Sequence, residues 1–139
     1  MVQGGDSVQG DIDLIKAYFD TLYAPAVVRF TSSAQTITSG GSLTIAHGLG
    51  AAPFIVGCFI ECTTAQLGYS VGDRLYVGFT DISINGADNW GVSVSRNGTT
   101  NLDIRFGSSA NVFVAPRKDT GVTVQLTNTS WKFYVYAQK

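Results

Sequence analysis

The sequence predicts an all-β fold, an antiparallel β-sandwich preceded by one short α-helix. Only 14% of the 139 residues are charged, and the abundant Ser, Thr, Asn, Val and Ile residues favour strands and turns. Short segments in which apolar and polar residues alternate recur along the chain, separated by turn residues, which is typical of a sandwich or barrel. The length suits one domain with a single core. We therefore expect residues 26–139 to form the sandwich.

Residues 1–25 are predicted to hold a flexible tail and an oligomerisation or attachment helix. Residues 1–10 are polar and Gly-rich, as in a tail or the remnant of a larger upstream polypeptide. A helix then begins after Asp11 as N-cap and ends at Pro25. Its apolar residues recur at spacings of three, four and three, the a/d pattern of a heptad, at Ile12, Ile15, Phe19 and Leu22. So short a helix needs cover for this stripe, either from the β-domain or, as the spacing favours, from copies of itself.

Ten strands are predicted after the helix, and one hairpin among them is especially clear. In WGVSVSRNGTTNLDIRF, apolar residues alternate with polar ones on both sides of Asn97 and Gly98, which supply the turn. The predicted strands are 27–31, 35–38, 42–46, 54–62, 74–80, 90–96, 102–106, 111–115, 122–127 and 131–137.

Two of these strands have large side chains on both faces. In strand 131–137, Trp131, Phe133 and Val135 share one face, while Lys132, Tyr134 and Tyr136 share the other. In strand 54–62, one face is apolar throughout and the other stays apolar until Glu61. A sandwich strand normally has one wet face, so a second apolar face implies cover from another sheet, the helix or a neighbouring subunit. Both strands thus favour an oligomer.

Reactive side chains concentrate in residues 46–74, which hold the only histidine, His47, both cysteines, Cys58 and Cys62, and the only glutamate, Glu61. Cysteines four apart in one strand are separated by ~13 Å, too far for a disulfide, which indicates free thiols made in a reducing compartment. A zinc site needs three or four convergent ligands, and a nucleophile needs a base that only His47 could supply. We expect no enzyme, metal or cofactor, although a glycan hydrolase using paired carboxylates stays a weaker alternative.

Charge and hydropathy exclude two classes of partner. The formal net charge is −1, and no run of Lys and Arg is present that could neutralise a row of phosphates. Nucleic acid is therefore not expected. The longest apolar run is far shorter than a membrane-spanning helix, and the N-terminus has no secretory signal pattern, so no membrane insertion is expected.

The segment TIAHGLGAAPFIVGCFIECTTAQLGYSVGDRLYV resembles a domain of bacteriophage tail fibres and related receptor-binding or virion appendages. The short helix before a six-to-eight-stranded sandwich is also similar to H-type lectin-like trimers at fibre ends. The resemblance implies a homotrimer without cofactor, assembled in the bacterial cytoplasm and located on the virion. Its N-terminal segment would contact other virion proteins, and the domain would bind a host-surface glycan or protein. The resemblance also implies structural roles for the family's turn, at His47, Gly48, Gly50 and Pro53, and for its second motif, at Tyr69, Gly72 and Asp73.

A ligand site is predicted in the polar loop DISINGADNWG. Exposed aromatic and hydrogen-bonding side chains on a rigid β-scaffold suit sugar binding, and this loop offers Asn85, Asp88, Asn89 and Trp90. The alternative is that Trp90 plugs the end of the sandwich. The turn at Asn97 and Gly98 is the next candidate. A purely structural virion protein, such as a head fibre, decoration or connector, is the alternative to receptor binding.

Overall fold

The computed structural model describes residues 4–23, 27–78 and 89–139. These residues form one N-terminal helix and ten strands, all paired antiparallel, which confirms a mostly β fold with a single helix. The elements are α1 Gly4–Tyr23, β1 Arg29–Thr31, β2 Gln35–Thr36, β3 Ser42–Ala46, β4 Ile55–Cys62, β5 Arg74–Val77, β6 Val92–Asn97, β7 Asn101–Phe106, β8 Val114–Pro116, β9 Thr123–Gln125 and β10 Trp131–Gln138, with a 3₁₀ turn at Asn128–Ser130. Each of these strands overlaps a predicted strand, although β2, β8 and β9 are shorter than predicted.

The strands form a large first sheet, a second sheet and a small ribbon. The first sheet has the order β1-β10-β4-β5, with β2 also paired to β10. The second has the order β3-β7-β6, and β8 pairs with β9. At the centre of the first sheet, β4 and β10 pair along their whole length, from Trp131 opposite Cys62 to Gln138 opposite Ile55. Side chains on these two strands therefore lie directly beside each other.

One hydrophobic core receives side chains from both the first and the second sheet. Phe133 of β10 meets Phe106 of β7 edge to face, with ring centroids 5.2 Å apart. The inward residues of β10 and β4 are buried as the alternation predicted, among them Trp131, Phe133 and Ile60. Each such side chain contributes ~1.5–3 kcal/mol through its removal from water. The β6–β7 hairpin is confirmed, with Asn97 paired to Asn101 across a turn at residues 98–100.

The helix begins at Gly4, so the prediction of an N-cap at Asp11 is wrong. The additional turns are supported by Gln9, whose Nε2 donates to Asp13 Oδ1 at 3.0 Å, one helical turn on. They also add Val8, four residues before Ile12, to the heptad stripe. Every side chain from 8 to 22 is exposed, so the described part of the β-domain does not bury the stripe. Within the described parts of the chain, no helix combines the length and apolar character needed to cross a bilayer.

Candidate functional site

The HGLG-x-x-P segment is a tightly packed turn after β3. His47 is only 3% exposed, its Nδ1 accepts the backbone N–H of Leu49 at 3.2 Å, and its ring lies edge-on to Phe30. Gly48 and Gly50 both have positive φ, near 63° and 73°, a backbone conformation that residues with a Cβ rarely adopt. Because one ring nitrogen is occupied by the turn itself and the ring is buried, this geometry suits packing rather than proton transfer to a ligand.

The two thiols lie inside the core and are unsuited to nucleophilic chemistry. Burial removes the thiolate from water and raises the pKa of Cys58 to about 12; the pKa of Cys62 is also raised, chiefly by burial. Their Sγ atoms donate to the carbonyls of Val77 and Thr64. Both are free cysteines in the thiol form at neutral pH. In the described residues, His, Cys, Asp and Glu form no group of three that could hold a metal ion.

The GYS-x-GD segment ties the loop after β4 to the loop after β8. Tyr69 is buried, its hydroxyl donates to the carbonyl of Pro116 at 2.6 Å, and its ring lies edge-on to Trp131. Asp73 Oδ2 accepts the N–H of Ser70 at 2.8 Å and Lys118 Nζ at 2.6 Å. The Lys118 hydrogen bond is the main reason that the pKa of Asp73 is lowered. These contacts give the second motif a bracing role between two loops.

The predicted ligand loop is only partly placed, because Asn85 and Asp88 lie outside the described residues. Asn89 is exposed, and its backbone pairs with Ser109: its N–H donates to Oγ at 2.8 Å and its carbonyl accepts the N–H at 3.1 Å. Trp90 is half-buried, and its indole N–H has no hydrogen-bond partner in the described parts of the chain. In the next candidate turn, Asn97 Nδ2 donates to Asp103 Oδ2 at 2.9 Å.

A second candidate surface lies on the outward face of the first sheet. It was not part of the ligand site predicted from the sequence. Strand pairing places Tyr134 beside Phe59 and Phe59 beside Tyr76, while Thr31 lies beside Tyr136. A groove of about 500 Å³ opens here. We call this surface the tyrosine face and define it by six of the side chains that line the groove, Arg29, Phe59, Arg74, Tyr76, Tyr134 and Tyr136.

A stack of three side chains organises the tyrosine face. Phe59 lies parallel to Tyr134, with centroids 4.8 Å apart and an interplanar angle of 9°. The guanidinium of Arg74 lies 4.8 Å from the Phe59 centroid, and its Nε donates to Glu61 Oε2 at 2.7 Å. Phe59 is consequently only 5% exposed. The expectation that another sheet, the helix or a neighbouring subunit must cover this face of β4 is wrong for Phe59, because flanking strands supply the cover.

The second sheet shows what an ordinary outward face looks like in this molecule. There Thr44 Oγ1 donates to Asp103 Oδ1 at 2.8 Å, and Ser93 and Arg105 lie exposed on the same face. This face is polar, as expected for an antiparallel sheet with one wet side. The tyrosine face instead places aromatic rings and arginines beside an open groove, which makes it the stronger candidate for a binding surface.

Sequence reasoning missed the tyrosine face because its members come from four strands. Tyr134 and Tyr136 could be assigned to the polar side of their strand from alternation alone. Nothing local indicates that Arg74, Tyr76 and Arg29 would join them, since that depends on which strands pair. Comparison of the chain with protein-family models, with curated proteins and with solved structures found no match.

Proposed function

We propose that this chain is a non-enzymatic domain of a phage virion appendage that binds a glycan or protein on the host cell surface. In this proposal the β-domain is a sandwich, and three copies assemble through the N-terminal helix. The exposed apolar stripe of α1 is the observation that carries the proposal. In a single chain these apolar side chains stay in contact with water, whereas assembly would bury them.

The stripe consists of Val8, Ile12, Ile15, Phe19 and Leu22, at alternating spacings of four and three. Their exposed fractions lie between 51% and 57%. Isoleucine occupies both an a position, Ile12, and a d position, Ile15, and this combination favours three- or four-stranded coiled coils over dimers. Lys16 and Asp20 form an ion pair at 2.8 Å off the stripe, as expected for a solvated outer surface. The pattern supports a short trimeric bundle.

The β-domain supports binding rather than turnover. Its histidine is buried, and its two thiols are buried and have raised pKa values. These potentially catalytic side chains therefore face the core and not the solvent. The open surface instead carries tyrosine and arginine, the side chains enriched where proteins recognise ligands and partners. Three such domains joined at one end would present three equivalent surfaces, and multivalency raises the avidity of weak sites.

The assembly is tested by light scattering on the parent chain and on Ile12→Asp. We expect the parent to have three times the chain mass. Ile12→Asp should dissociate, because three buried carboxylates around one axis cost roughly 3–5 kcal/mol. Leu14→Asp is the matched control, since Leu14 is 71% exposed and lies off the stripe. An unchanged mass for Ile12→Asp, or dissociation of the control, would place the subunit contact elsewhere.

Binding is tested separately with fluorescently labelled parent protein on a panel of bacterial strains and a glycan array. We expect the parent to bind at least one strain and Ile12→Asp to bind it more weakly through lost avidity. If the parent binds neither cells nor glycans, the receptor-binding role is wrong, and a structural role on the virion would replace it.

A further inference from the structure

We propose that the tyrosine face binds an acidic oligosaccharide, a short chain of sugars that carries carboxylate groups. This inference rests on the proposed function and specifies the ligand class and the site. It moves the site from the loop that holds Asn89 and Trp90 to the outward face of the first sheet.

The tyrosines supply surfaces suited to sugar rings. A phenol offers an apolar ring to the C–H face of a sugar and a hydroxyl that exchanges hydrogen bonds with its O–H groups. Tyr76 is 71% exposed, and Tyr134 and Tyr136 are partly exposed. Beneath them, Phe59 is held between Tyr134 and Arg74. Rings ordered before binding lose little conformational freedom when a ligand arrives.

The charge of the surface selects an anion. Among the described residues, the outward face carries three cations, Arg29, Arg74 and Lys132, and one anion, Glu61, so their net charge is 3 − 1 = +2, whereas the whole chain has −1. Arg74 uses Nε for Glu61, and its terminal nitrogens have no acceptor among the described residues. Arg29 forms no ion pair in the described parts of the chain. Free guanidinium nitrogens match the two oxygens of a carboxylate.

The spacing of the two arginines indicates an extended ligand. Arg29 lies beside Gln138, and Arg74 lies in the row of Lys132 and Glu61, six residues away along β10 and three strands across. Those steps correspond to ~20 Å along the strands and ~14 Å across them, so the two Cα atoms lie ~24 Å apart. Both side chains nevertheless line the same groove. A small anion, such as a single carboxylate, could reach only one of the two arginines. An oligosaccharide could contact both arginines and lie on the tyrosines between them.

The same charge argues against a second copy of this chain as the occupant. A two-fold contact would place this face against its own copy and bring +2 against +2 with both partly desolvated. The tyrosine face is also separate from the helix stripe, which already provides an apolar surface for self-association.

The experiment is a glycan array bearing neutral saccharides, acidic saccharides with uronic or sialic acids, phosphorylated saccharides, and a carboxyl-reduced version of each acidic one. We expect the parent to bind at least one acidic saccharide and to lose about tenfold or more in affinity on carboxyl reduction. Tyr76→Ala and Arg29→Gln should each lose a similar factor. Both residues are exposed, so neither change should unfold the domain.

Two matched variants outside the groove serve as controls. Phe54→Ala removes an aromatic ring that is 68% exposed, and Arg105→Gln removes an exposed arginine from the second sheet. Both should bind like the parent. If the parent binds cells or glycans and the groove variants bind equally well, the site is elsewhere while the proposed function stands. Exclusive binding of neutral or phosphorylated saccharides would overturn the carboxylate assignment. A changed mass for Tyr76→Ala would instead make the face a subunit contact, and a parent that binds nothing overturns both proposals.

Discussion

Gly57 provides the space that the Tyr136 ring occupies on the tyrosine face. It lies directly opposite Tyr136 in the pairing of β4 with β10, and the Tyr136 ring crosses over it. A Cβ at position 57 would overlap the ring carbon and hydroxyl of Tyr136. Because Gly57 has no side chain, the Tyr136 ring can lie across the backbone of β4.

Gly57→Ala is expected to lower the free energy of unfolding by about 1–3 kcal/mol, because the ring must move out of a packed position. Urea denaturation measures the change. Gly78→Ala is the control, since a Cβ there would meet no atom of the described residues within 4 Å. In a Tyr136→Leu background, the cost of Gly57→Ala should shrink, as a double-mutant cycle would record. Equal costs at positions 57 and 78 would contradict this account of the packing.

Among the elements, the loop between β4 and β5 is held in part by a partly exposed ion pair between Asp73 and Lys118. Lys118 lowers the pKa of Asp73 because it stabilises the ionised carboxylate in the folded protein. A carboxyl whose pKa is lowered by folding stabilises the fold above its ordinary pKa, and this contribution is lost as the pH falls through the lowered value. Since the pair is partly exposed to water, its effect should be modest.

Asp73→Asn should therefore be less stable than the parent at pH 7, and this difference should disappear as the pH falls through the lowered pKa of Asp73. Urea midpoints measured from pH 7 into the acid range test this. Asp11→Asn makes the same change in net charge on the exposed helix, away from this loop, and serves as the control for charge alone. A destabilisation of Asp73→Asn that is constant with pH would mean that Ser70 and loop shape matter, and the charge does not.

At the scale of the whole molecule, the helix and the β-domain should differ in how their stability depends on concentration. An isolated helix of 20 residues is marginal in water, and the exposed side chains 8–22 of α1 indicate that the described part of the β-domain does not cover it. Its helicity should therefore depend on assembly, whereas the β-domain has a core of its own.

We expect dilution to reduce helical circular dichroism at 222 nm while tryptophan fluorescence, which reports the buried Trp131 and the half-buried Trp90 of the β-domain, stays unchanged. Ile12→Asp should show the low-helicity signal at every concentration, and Leu14→Asp should behave like the parent. Helicity that is the same at all concentrations for parent and Ile12→Asp alike would mean that the helix is stable without assembly.

The features of this chain that depend on short sequence patterns could be predicted before the fold was known. Alternation located all ten strands and assigned the two faces of β10, and heptad spacing identified the stripe of α1, because each pattern depends only on residues a few positions apart. It placed the start of the helix too late, since Gly-rich residues before Asp11 have weak helical propensity of their own. Of the predicted ligand residues, Asn89 and Trp90 lie just before β6, and Asn85 and Asp88 lie outside the described residues.

The position of the tyrosine face depends on the tertiary structure, because it requires side chains from four strands to lie side by side. Phe59 and Tyr134 are 75 positions apart, yet register makes them neighbours and Arg74 completes their stack. The same pairing covers Phe59 from within its own sheet, which no pattern along one strand could indicate. Which strands pair is settled by burial of one shared core, a property of the whole chain, so a surface built across four strands becomes visible only after the chain has folded.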